Sequence, residues 1–295
     1  MTLDVDALRP LGCAERTLAV LTACGVDPAK WEEAARVAPA QGETAVCRLG
    51  DGIWALELWH TKDMGLTPAA RATADVYQAM TGETVPDCWL YLADLLSAYC
   101  DLVEDGEWKE GATMNVVCST RHPAFVGAAV AQLSGAPLYT VVGEDDGALE
   151  NAIEGGTLPP YLDRLGEYVQ KNGRKKVFRD ILAARADEGE ATDAMLELLD
   201  KTGYLTHPVT AKAYRIAQIY REEAESRNPV LVIAPFHPYA AHKTLVSVVC
   251  ERMAKDAETN MRLLEEETGW EIPEELKNED FAETIRERIK TLYGE

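Results

Sequence analysis

Hydrophobic and polar positions follow two different rhythms along the chain. The first 40 residues read as two short helices, one from about Glu15 to Cys24 and one after Asp27-Pro28. Two strand-like runs follow, Thr44 to Leu49 and Ile53 to Trp59. They flank Gly50-Asp51-Gly52, and a short Asp-Gly link between apolar runs predicts a hairpin. Thr67-Pro68 opens a helix to about Met80. Residues 88–103 (Trp89, Leu92, Leu95, Leu96, Tyr99, Val103) predict a helix buried on most sides.

Beyond that point strands and helices alternate. Thr113 to Cys118, Pro137 to Val142 and Val230 to Ala234 are continuous apolar strands. Helices are expected at Pro123 to Leu133, 146–153, 159–170, 174–186, 191–202, 208–226 and Tyr239 to Ala254. Uninterrupted apolar strands between amphipathic helices imply an α/β fold, a parallel sheet with helices on both faces. The expected organisation is a single α/β domain over 1–295: a helical segment at 1–43, a sheet domain at 44–255 and a charged helical tail at 256–295.

Composition narrows the function. The formal net charge is -21, with 50 acidic against 29 basic side chains over 295 residues. Such a balance argues against nucleic acid, whose phosphates demand a basic surface. No apolar stretch approaches the roughly 18 residues of a membrane span, and the acidic N-terminus lacks a signal pattern. Seven Cys without a CxxC pair suggest reduced thiols in the cytoplasm and no structural zinc site. No metal is expected: Glu144-Asp145-Asp146 reads as a turn and helix cap, and His237 and His242 are badly spaced for one helix face.

Ligands of open parallel sheets bind beyond the carboxyl ends of the strands, where helix N-termini present free N–H groups. Three predicted strand exits are polar: Cys118-Ser119-Thr120-Arg121-His122-Pro123, Gly143-Glu144-Asp145-Asp146-Gly147, and Pro235-Phe236-His237-Pro238. The first joins Ser119, Thr120 and Arg121 to a helix start, the expected site for a small anionic metabolite. Each of these groups has a plainer reading. Arg121 would bridge to the 144–146 acids, Cys118 would be a small hydrophobe, and His207 and His237, each before proline, would be extended turn residues.

In this order the segments resemble threonine synthase, of the pyridoxal-phosphate (PLP) fold type II group. Leu56-Glu57-Leu58-Trp59-His60 is similar to the family's Leu-Glu-Leu-Phe-His before its Schiff-base lysine. Cys88-Trp89 stands for its Asn-Trp, and Val116 to Pro123 for its Val-Val-Pro-Thr-Gly-Asn-Phe-Gly. Gly203 to Ala211 tracks its Gly-Tyr-Leu-Leu-Asp-Pro-His-Thr-Ala. Phe236-His237-Pro238 stands for Thr-Ala-His-Pro, and Glu271 to Leu276 for the C-terminal Leu-Pro-x-x-Leu. The resemblance covers most of residues 50–280. It implies the large domain of a fold type II enzyme, PLP as the family cofactor, and Lys62 at the catalytic lysine, unless an ungapped alignment puts Thr67 there. Together with Ser119, Thr120 and Arg121, His60 and His237 are the expected ligand-binding positions.

The departures point away from the family's chemistry. Only Gly82 to Asp87 separates helices between which the family inserts its smaller domain. Thr120-Arg121-His122-Pro123 lacks the phosphate-loop glycines. The hydroxyl that meets the cofactor's ring nitrogen falls on Ala234 or Pro235. The expectation is therefore a threonine synthase-like pseudoenzyme or binding module for a small anion or phospho-amino acid, with no PLP. The alternatives are an active PLP-dependent lyase using Lys62 and a dimeric interaction protein. A homo-oligomer is expected because the 88–103 helix and the 53–59 strand would need cover once the smaller domain is lost.

Overall fold

The protein is described from a computed structural model. Residues 46–50, 52–58, 113–119, 138–143 and 147–273 are described, with scattered positions between 78 and 129. The continuous elements are β1 (Val46–Gly50), β2 (Ile53–Glu57), β3 (Met114–Ser119), β4 (Leu138–Gly143), α1 (Ala148–Ile153), α2 (Asp163–Asn172) and α3 (Arg174–Val177). They continue with β5 (Ile181–Ala184), α4 (Glu188–Thr202), α5 (Pro208–Glu223), β6 (Val230–Ala234), α6 (His242–Val249) and α7 (Ala257–Thr268).

Six strands form one sheet in the order β1-β2-β6-β3-β4-β5. The β1–β2 hairpin is antiparallel and every other pairing is parallel. Its turn passes through Gly52 at φ 70, a left-handed conformation that costs glycine nothing. Period-two alternation then divides the core. Trp54, Leu56 and Leu58 join Met114, Val116, Cys118, Leu231 and Ile233 on one face. Ile53, Ala55, Val117, Val230, Val232 and Ala234 face α4, α5, α6 and α7 on the other. Both faces are covered, as the continuous apolar strands predict.

One expected helix is corrected. Residues 174–186 form only the short α3, after which Ile181–Ala184 pairs with β4 as an edge strand. Pairing with Thr140–Gly143 overrides the helix preference of the alanines there. The helix expected from Tyr239 to Ala254 is also shorter: a 3-10 turn over Pro238–Ala241 leads into α6, which stops at Val249. The start of the 159–170 helix is likewise a 3-10 turn, Pro160–Leu162. The first two helices, the start of the helix expected at Thr67 and residues 144–146 lie outside the described residues.

Tyr91, Asp94, Leu95, Ala98 and residues 101–103 are helical, as expected for 88–103. Leu95, Ala98 and Leu102 are buried at 1%, 0% and 4% exposure, and all of β2 is buried. The tail behaves as predicted through α7, which Asp256 caps and Gly269 closes.

Candidate functional site

Parallel pairing brings the carboxyl ends of β2, β6, β3, β4 and β5 to one edge. Alternation then decides which side chains emerge there. Glu57 follows Ile53 and Ala55 onto the α4–α5 face, Ala234 follows Val230 and Val232, and Ser119 follows Val117. The edge extends one residue past β2, where Leu58 N–H donates to the Ala234 carbonyl at 3.0 Å.

Glu57 is 7% exposed, and its Oε1 accepts from the Tyr204 hydroxyl at 2.9 Å and the Cys47 thiol at 3.5 Å. Tyr204 comes from the loop that follows α4, which Gly203 ends in a left-handed cap at φ 72. Burial, then the Glu57 charge, pushes the Tyr204 hydroxyl well above its ordinary pKa, and the same two causes raise the Cys47 thiol. Both groups stay protonated as donors. Trp270 pins the loop from outside: its indole N–H donates to the Gly203 carbonyl at 2.6 Å, and its ring meets Tyr204 edge-on at 5.5 Å.

Two His-Pro dipeptides complete the edge. His207 caps α5 and His237 caps the 3-10 turn after β6. Each accepts through Nδ1 from the backbone N–H two residues on, at 3.2 and 3.1 Å. A neutral imidazole that accepts at Nδ1 carries its proton on Nε2. Burial and then the neighbouring His237 lower the His207 pKa to about 3, which keeps its ring neutral. The Phe236 ring packs on His207 with centroids 5.0 Å apart.

These positions assign the expected residues unevenly. Ser119, half-buried, and His237 reach the same edge. His60, Lys62, Thr120 and Arg121 lie outside the described residues, as does Thr67. Cys118 is fully buried with its thiol pushed up to about 12 by burial, an inert hydrophobe as predicted. Among the described residues no group of His, Cys, Asp or Glu could hold a metal ion. No described helix is long and apolar enough to cross a membrane. Glu57, Tyr204 and His207 were absent from the expected site although all three sit in the quoted motifs. The legible signal for His207 was the second His-Pro pair at an element junction.

No family model matches the chain, and no curated protein sequence matches it. Solved structures do. Threonine synthase from Escherichia coli superposes with a TM-score of 0.57 at 16% identity, covering 98% of this chain and 90% of that one. PLP-bound threonine synthase from Brucella melitensis gives 0.56 at 16% identity, covering 84% and 83%. The chain has the fold of threonine synthases. That likeness makes the carboxyl edge the place to ask whether PLP would fit. A ring nitrogen needs a polar side chain at the β6 exit, and Ala234 and Pro235 supply none. Ala234 and Phe236 are instead buried, at 1% and 9% exposure. These described positions offer a cofactor ring no polar side chain.

Proposed function

We propose that the protein is a threonine synthase-like binding module that has lost PLP-dependent catalysis and binds a small anion, such as a phosphorylated amino acid. The observation that carries the reading is the β6 exit, where Ala234, Pro235 and Phe236 are apolar and Phe236 packs on His207. No step through PLP follows from such a lining. Ser119 at the β3 exit and the Nε2 protons of His207 and His237 supply neutral hydrogen-bond donors at the same edge. Neutral donors bind an anion by direction rather than by charge, and Arg121 adds the cation that affinity requires. The sequence order Ser119-Thr120-Arg121 supports that assignment.

A calorimetric titration with phosphate and with O-phosphoserine tests the reading, comparing the native chain with Arg121→Ala. Saturable binding that weakens roughly tenfold or more in the variant, the loss of a charge-assisted contact, is the expected result. An equal response of both proteins, or none from either, would contradict it.

A further inference from the structure

The opposite end of the sheet carries a different feature. Ile53 begins β2, Ser226 precedes β6, and the β1–β2 turn closes the same amino-terminal edge. A cavity of about 580 Å³ opens there, lined by Leu49 and Ile53 below and by Glu197, Lys201, Tyr214, Gln218, Arg221 and Glu222 from α4 and α5. That volume lies within the range of small-molecule sites. We infer that this cavity binds a zwitterionic amino acid with an apolar side chain, its ammonium on Glu197 and its carboxylate on Arg221.

The geometry at Glu197 is the first argument. Oε1 accepts from Lys201 Nζ at 2.9 Å, Gln218 Nε2 at 2.9 Å and the Tyr214 hydroxyl at 3.4 Å. All three bonds fall on one oxygen, and Oε2 accepts from no described residue. Three donors fix the carboxylate plane, so a ligand ammonium meets Oε2 already oriented, with little ordering left to oppose binding. The second argument is Arg221. Its guanidinium lies over the hairpin, with NH2 only 3.0 Å from where a Cβ on Gly52 would stand. The missing side chain at Gly52 lets the guanidinium lie against the hairpin turn, and Arg221 lines the cavity there. The third argument is charge. Among the described lining residues, Glu197 and Glu222 balance Lys201 and Arg221. A neutral zwitterion enters a protein of net charge -21 without the repulsion that an anion meets.

Calorimetry on the full chain with L-leucine, isopentylamine and 4-methylpentanoate separates the two contacts. Leucine is expected to bind, and each analogue, lacking one charged group, to bind roughly tenfold or more weakly. Arg221→Gln should reduce leucine to the level of isopentylamine and leave isopentylamine unchanged. Glu197→Gln should weaken both amines. Ser226→Trp, at a half-buried residue of the cavity lining, should abolish leucine binding without touching an ion pair, and so serves if a charge variant misfolds. His237→Ala, at the far edge, should leave it intact. Absence of leucine binding, equal binding of all three compounds, or unchanged binding in Ser226→Trp would overturn the inference. Loss of leucine binding in His237→Ala would also overturn it, by moving the site to the carboxyl edge.

Discussion

The two ends of one sheet are built by opposite rules. At the carboxyl edge, Glu57, Leu58, Tyr204, Thr206 and Phe236 are all buried, and polar groups there bond mainly to one another or to backbone. At the amino-terminal edge, Glu197, Gln218 and Arg221 stay partly open around a cavity. Ligands of open parallel sheets bind at the first of these edges. In this chain, Glu57, Tyr204 and Phe236 are buried at that edge, while Ser119, His207 and His237 beside them are half-buried. A buried edge answers to packing and to unsatisfied polar atoms, whereas an open edge answers to screening. Substitutions at the two ends should therefore differ several-fold in cost.

The largest effect is expected at Phe236. Phe236→Ala empties a packed position against His207 and should lower unfolding free energy by about 3 kcal/mol, read from urea denaturation. A loss below about 1 kcal/mol would mean that the edge is loosely packed. Next comes acid. The His207 pKa lies near 3 in the folded chain, against an ordinary 6.5. The unfolded chain therefore takes up a proton first, so stability is full above pH 6.5 and falls as the pH drops toward 3. One proton gives at most about 1.4 kcal/mol per pH unit, less with solvent screening. His207→Gln should flatten stability over that window, and an unchanged slope would show the ring to be solvated.

Glu57→Ala follows, at about 1–3 kcal/mol, because it strands the buried Tyr204 hydroxyl. Glu57 with Tyr204→Phe in a double-mutant cycle should show coupling, and additivity would dissolve the network. The smallest effect belongs to the open end. Lys201→Ala removes an i,i+4 pair whose lysine side chain is 66% exposed, and should leave the urea midpoint nearly unchanged. A cost equal to that of Glu57→Ala would erase the contrast between the edges.

Much of the frame is legible in the sequence. Three apolar strands and the Asp-Gly hairpin fall within about two residues of their positions, because each carries a local signal. β5 does not. Its four residues, Ile181-Leu182-Ala183-Ala184, are compatible with a helix, and only their pairing with β4 makes them a strand. The candidate site is legible to the extent that strand exits are. Ser119 and His237 reach the predicted edge, whereas the Glu57–Tyr204 bond joins residues 147 apart in sequence. Nothing local in the sequence announces such a contact. The amino-terminal cavity is hidden for the same reason, since hairpin and helices meet only through the strand order.

The proposal that PLP chemistry has been lost is tested most directly by the visible absorbance of the purified chain after incubation with PLP, followed by borohydride reduction and peptide mass analysis. The account predicts no bleachable visible band and an unmodified Lys62, because the β6 exit offers the cofactor ring no polar partner. A bleachable band, with the reduced cofactor attached at Lys62, would contradict it and restore an active lysine-dependent enzyme.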